Sequence, residues 1–149
     1  MSTRPRPIRQ FQKGQTIIQE GSVGDCSFKI LVGEVIICKR NPQGQLIPVA
    51  KVGPGEIFGE MYLFENDHIR TASAIAVSDA VSVEVYSQSD ISDMLANLSE
   101  PTRDIFQGLS QRLKTVSESY TQMAQTAPAQ PGVVESGHTF ITRKPQSPQ

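Results

Sequence analysis

Apolar residues between positions 11 and 59 come in short runs separated by eight glycines, Gly14, Gly21, Gly24, Gly33, Gly44, Gly53, Gly55 and Gly59. Short runs with turn residues between them predict antiparallel strands rather than helices. The first run covers 15–19 and leads into the turn Glu20-Gly21-Ser22-Val23-Gly24-Asp25. Phe28, Ile30 and Val32 then alternate with Lys29 and Leu31 up to Gly33, and residues 34–39 continue the pattern. Asn41-Pro42-Gln43-Gly44 is a turn, and 46–52 is the returning strand. Pro48 has no N–H to give to a ladder, which predicts an edge strand or a bulge there. Further on, residues 71–77 and the alternation of Val81, Val83 and Val85 with Ser82, Glu84 and Tyr86 predict two strands joined at Ser78-Asp79.

After Tyr86 the period changes from two to between three and four. Ser87 followed three residues later by Asp90 is a capping signal for a short helix through about Leu95. Ser99-Glu100-Pro101 opens a second helix, since proline in a first turn costs little. Along it Ile105, Leu109, Leu113, Val116, Tyr120 and Met123 form one apolar stripe. The stripe has two readings, packing on the chain's own β-domain or pairing with a second copy; its persistence past Leu113 favours pairing. Beyond Gln125 the periodicity stops and four of the ten prolines fall at Pro128, Pro131, Pro145 and Pro148. The expected organisation is an arm over 1–9, one domain over 10–123, and a disordered proline-rich tail over 124–149 whose HTFITRK stretch is a linker or docking peptide.

A chain of 149 residues, 38% hydrophobic and with net charge −1, has the size and balance of one domain with a modest core. No apolar run reaches the length of a membrane span and no secretory pattern opens the chain, so the expectation is a cytosolic protein without a membrane partner. Cys26 and Cys38 fit no metal spacing and are expected to be reduced packing residues. His68 and His138 stand apart in polar surroundings, which argues against a metal centre and against a histidine-bearing metalloenzyme barrel. Arg4, Arg6, Arg9 and Lys13 make residues 1–13 basic, and a solvated arm is the expectation for so short a run.

Candidate chemistry is concentrated in VGPGEIFGEMYLFENDHIRTASAIA, residues 52–76. Gly59-Glu60 precedes a short apolar segment, and Arg70-Thr71 stands at the head of a strand. An anionic sugar phosphate needs a fixed cation, backbone N–H donors, a hydroxyl and a carboxylate. Arg70, the backbone of 59–63, Thr71 and Glu60 supply one each. Gly53-Pro54-Gly55 is not a dinucleotide fingerprint, because the third glycine is one place late and no long amphipathic helix follows; no phosphate-loop lysine is present either.

The segment Phe58-Gly59-Glu60-Met61-Tyr62-Leu63, loop, Arg70-Thr71-Ala72 resembles the phosphate-binding cassette of the cyclic nucleotide-binding domains. EGSVGDCSFKILVGEV resembles the early strands of the same family and gives the resemblance a second anchor. The family has a small residue where this chain has Tyr62, and commonly a proline where it has Ile69. The resemblance implies a mainly β fold with α, an antiparallel β-barrel of the double-stranded β-helix or jelly-roll kind, with a short phosphate-binding helix and C-terminal helices. It implies a non-enzymatic sensor module for cyclic AMP or cyclic GMP with no cofactor beyond that ligand. The ligand residues implied are Gly59, Glu60, Met61, Tyr62, Leu63, Arg70, Thr71 and Ala72. In the family's transcriptional activators the long helix pairs with its twin, which implies a candidate homodimer through residues 101–123 and an effector protein that the sequence does not name. A proline-rich tail stands where the family's transcriptional regulators carry a helix-turn-helix, so direct DNA binding is not expected. The alternative is a degenerate, ligand-free interaction or dimerisation module in which the Tyr62 ring fills the pocket.

Overall fold

A computed structural model describes residues 4–64 and 67–124. Of the expected tail over 124–149, all but Ala124 lies outside them, as do the first three residues of the expected arm. Within the described residues the strands are β1 (Ile8–Gln12), β2 (Thr16–Ile18), β3 (Cys26–Val32), β4 (Val35–Arg40), β5 (Leu46–Val52), β6 (Ile57–Phe58), β7 (Ser73–Ala76) and β8 (Ala80–Ser87). A single 3₁₀ turn, Met61–Phe64, separates β6 from β7, and the helices α1 (Gln88–Ala96) and α2 (Glu100–Met123) follow β8. Neither helix is long and apolar enough to cross a membrane.

The strands form two antiparallel sheets, ordered β1-β8-β3-β6 and β2-β7-β4-β5. Ile18, Phe28, Ile30, Val35, Phe58, Val81 and Val83 fill the space between them, as the alternating pattern of β3 and β8 requires. The fold is mainly β with helices, in keeping with a jelly roll. The strands stand as two facing sheets in which β1, β6, β2 and β5 are edges among the described residues. Local causes are visible: β6 has only two residues, and β5 carries Pro48. Opposite Pro48 the β4–β5 register slips between Ile37 and Cys38, so Pro48 meets both an edge and an irregular ladder.

Two segments differ from the sequence pattern. The basic run expected to be solvated contributes β1, whose Ile8–Gln12 backbone pairs with β8 and whose Phe11 packs against the core. Val32, expected to alternate inward with Phe28 and Ile30, is 55% exposed. The β3–β8 register slips between Ile30 and Val32, and one added residue turns every later side chain to the other face.

The helices begin where their caps place them. Ser87 accepts from the Asp90 N–H at 3.1 Å while the Asp90 carboxylate accepts from the Ser87 N–H at 3.0 Å, a complete capping box. Ser99 caps α2, with Pro101 in its first turn. The face that α2 turns towards the sheets is polar, with Ser110, Lys114 and Ser117 half-buried and Thr121 buried. Its apolar stripe points outward instead.

Candidate ligand-binding site

Arg70 enters just before β7, in a segment stitched to the β2–β3 turn. Gly21 N–H donates to Arg70 O at 2.9 Å, Arg70 N–H to Ser22 O at 2.7 Å and Gly24 N–H to His68 O at 2.7 Å. The next peptide is held from the other side, where the buried Lys39 ammonium donates to Thr71 O at 2.7 Å. The Arg70 position is thereby fixed before any side-chain contact is counted.

The Arg70 side chain then runs into the molecule and is only 6% exposed. Nη1 donates to Gly59 O at 2.7 Å and Nη2 to Cys26 O at 2.6 Å, with the Cys26 sulfur 3.9 Å from Nη2. One guanidinium face lies over the Tyr62 ring, 4.5 Å from its centroid. No carboxylate of the described residues lies within ion-pair distance of it. A buried cation held by carbonyls and an aromatic face, with no ion-paired carboxylate among the described residues, presents positive potential to an approaching anion.

Beside it is a cavity of about 240 Å³ between the second sheet, the 3₁₀ turn and α2. Gly59, Glu60, Met61, Tyr62, Arg70, Thr71 and Ala72 all line it. Leu63 alone of the sequence candidates does not, and its N–H is already donated to Glu60 O at 3.1 Å. Ile37, Val49, Val52 and Ile57 give the cavity an apolar side, and Leu113 and Ser117 bring α2 to its mouth. Sequence reasoning had no means of choosing Ser117 over Thr115 and Ser119. Thr115 turns its hydroxyl back to Gln111 O at 3.0 Å, and only Ser117 of the three lines the cavity.

Each polar group is set by its surroundings. Burial pushes the Glu60 carboxyl up from its ordinary value, against a bond to its own backbone and the attraction of Arg70. Gly59 has φ +78°, and its carbonyl accepts from Arg70 and, at 3.2 Å, from the Ser27 hydroxyl. The Tyr62 ring does not fill the cavity. It is 1% exposed and packs against Gly24, where a Cβ would lie 2.6 Å from Tyr62 Cγ. His68, in the left-handed region at φ 56°, meets the same ring edge-on with centroids 5.8 Å apart.

A family model for the cyclic nucleotide-binding domain matches residues 8–97. The chain belongs to that family. Among curated relatives it is 27% identical over 116 residues to a CRP-like cAMP-activated global transcriptional regulator of Mycobacterium tuberculosis, covering 78% of this chain and 51% of the relative. It is 37% identical over 71 residues to the cyclic AMP receptor protein of Thermus thermophilus, covering 48% of this chain and 32% of that one. The chain therefore spans about half the length, or less, of these relatives. Among solved structures it resembles an EAL enzyme in its cAMP-bound form, with TM-score 0.66 and 28% identity over 76% of this chain and 30% of the other. The same enzyme in its cGMP-bound form gives TM-score 0.67 and 29% identity, again over 76% of this chain and 30% of the other.

Proposed function

We propose that this chain is a regulatory module that binds a 3′,5′-cyclic nucleotide, cyclic AMP or cyclic GMP, in the cavity beside Arg70. The observation that carries the reading is the buried guanidinium, with no carboxylate of the described residues within ion-pair distance, at the wall of a cavity with an apolar side. In this reading Arg70 takes the cyclic phosphate, amides at the start of the 3₁₀ turn add donors, and Glu60 accepts from the ribose hydroxyl. The base lies along the apolar wall towards Leu113 and Ser117. Both nucleotides are retained as ligands because the Thr71 hydroxyl serves either a phosphate or a guanine amino group, and because the similar EAL enzyme was solved with each.

The outward stripe of α2 supports a homodimer as the signalling form. Ile105, Leu109, Leu113 and Val116 are 62%, 47%, 58% and 65% exposed, while the opposite face meets the sheets. An apolar stripe of that length on a helix with one free side fits a second copy of the same helix. An effector acted on by that dimer completes the module.

Calorimetric titration with cyclic AMP and cyclic GMP tests the binding site. Charge-assisted hydrogen bonds are worth about 1.5–3 kcal/mol each, so Arg70→Ala is expected to weaken binding roughly tenfold or more. Equal affinity in the parent and the Arg70 variant rejects the role given to Arg70. Failure of the parent to bind either nucleotide favours the ligand-free interaction module instead.

A further inference from the structure

The inference drawn here rests on the proposed nucleotide site and concerns Tyr62, the residue that departs from the family pattern. A guanidinium poised for an anion faces two opposed requirements. It must be held in one orientation, and it must keep its charge uncompensated. A carboxylate partner would meet the first and defeat the second, since neutralising the cation in place lowers its pull on a phosphate.

Among the described residues, the groups around Arg70 meet both requirements without an ion-paired carboxylate. Gly59 O and Cys26 O take donors at the edge of the guanidinium, at 2.7 and 2.6 Å, and the Tyr62 ring covers one flat face at 4.5 Å. The ring is itself wedged: His68 stands edge-on to it at an interplanar angle of 75°, and Gly24 backs it. A Cβ at residue 24 would lie 2.6 Å from Tyr62 Cγ and 2.9 Å from Arg70 Nε, so the stack exists only because that position has no side chain. The phenol oxygen is buried and makes no hydrogen bond of good geometry among the described residues, with the Ser27 hydroxyl as the polar group beside it. The ring face is the part of Tyr62 that meets Arg70.

We propose that Tyr62 is a positioning residue for Arg70, its ring face holding the guanidinium in the orientation that meets the cyclic phosphate, with Gly24 as the space that admits the ring. The ring's quadrupole attracts the cation yet carries no net charge, so it orients the guanidinium without neutralising it. The departure from a small residue is thus a second way of building the same anion site, and Gly24 and Tyr62 work as a pair.

A double-mutant cycle on the full chain tests this, read by calorimetric titration of cyclic AMP and cyclic GMP with thermal melting to confirm that each variant folds. Tyr62→Phe keeps the ring face and is expected to bind within about twofold of the parent, while Tyr62→Ala weakens binding roughly tenfold. In an Arg70→Lys background, where no flat cation is left to orient, Tyr62→Ala is expected to change affinity by less than about twofold. Gly24→Ala displaces the ring without truncating it and is expected to lose affinity as Tyr62→Ala does, so it carries the test if the truncation fails to fold. Equal losses from Tyr62→Ala with Arg70 and with Lys overturn the proposal, because the ring then acts on cavity shape and not through the guanidinium. A parent chain that binds neither nucleotide overturns the proposed function and this inference with it; a parent that binds, with additive losses, overturns this inference alone.

Discussion

Gly59 carries two constraints at once. Its φ of +78° is a conformation that side chains disfavour, and a Cβ would lie 2.6 Å from Ile18 Cδ1 and 3.1 Å from Arg70 Nη1. Gly59→Ala is therefore expected to cost about 1–3 kcal/mol of stability, seen as a lower urea midpoint, and to weaken nucleotide binding by moving the carbonyl that Arg70 holds. Glu60 makes a pH-dependent prediction. Burial raises its carboxyl above the ordinary 4.5, so the folded chain favours the protonated form. That contribution to stability is fully present below 4.5 and is lost as pH rises through the folded value. Glu60→Gln, which cannot ionise, is expected to melt higher than the parent near neutral pH, with the margin closing as the parent's carboxyl protonates; a margin constant with pH would show that ionisation is not the cause. Arg70, Glu60 and Gly59 were legible in the sequence because their types and spacing carry the chemistry. The Gly24–Tyr62 contact was not, because 38 residues separate the pair and only the stitching of the 21–24 turn to 68–70 brings them together.

Among the elements, those set by local signals are legible in the sequence and those set by their partners are not. The α1 capping box, the Ser99 cap and the turn at Asn41-Pro42-Gln43-Gly44 each depend on residues within four positions, and each stands where the sequence placed it. β1 went unread because Ile8–Gln12 offers two apolar residues among polar ones, and it is a strand only by virtue of the β8 edge beside it. The α2 stripe was legible as a stripe, but periodicity gives a face and not what lies against it. Ser110, Ser117 and Thr121 turn out to face the sheets, and Leu109 and Val116 face away. Leu109→Asp with Val116→Asp is therefore expected to convert a dimer to a monomer in sedimentation while leaving the melting temperature of the β-domain nearly unchanged, since exposed substitutions typically move stability by less than about 0.5 kcal/mol. Loss of folding in that variant would place the stripe against the chain's own sheets after all.

In the whole molecule the ligand cavity and the outward stripe meet at one residue. Leu113 lines the cavity and is 58% exposed on the stripe, one turn before Ser117, which also reaches the cavity. A nucleotide whose base rests on Leu113 and Ser117 favours one placement of α2, and a second copy packed on Leu109, Leu113 and Val116 favours one placement of the same helix. If the two placements agree, occupancy and pairing are linked, and linkage is reciprocal: a ligand that tightens the dimer about tenfold must bind the dimer about tenfold more tightly than the monomer. The expected outcome is a nucleotide affinity that rises with protein concentration across the dimer dissociation constant, measured by titration at concentrations above and below it. The Leu109→Asp/Val116→Asp variant, which keeps every cavity residue, is expected to bind with the low-concentration affinity of the parent at all concentrations. An affinity independent of concentration in the parent, alongside a demonstrable dimer, would mean that occupancy and self-association are not linked.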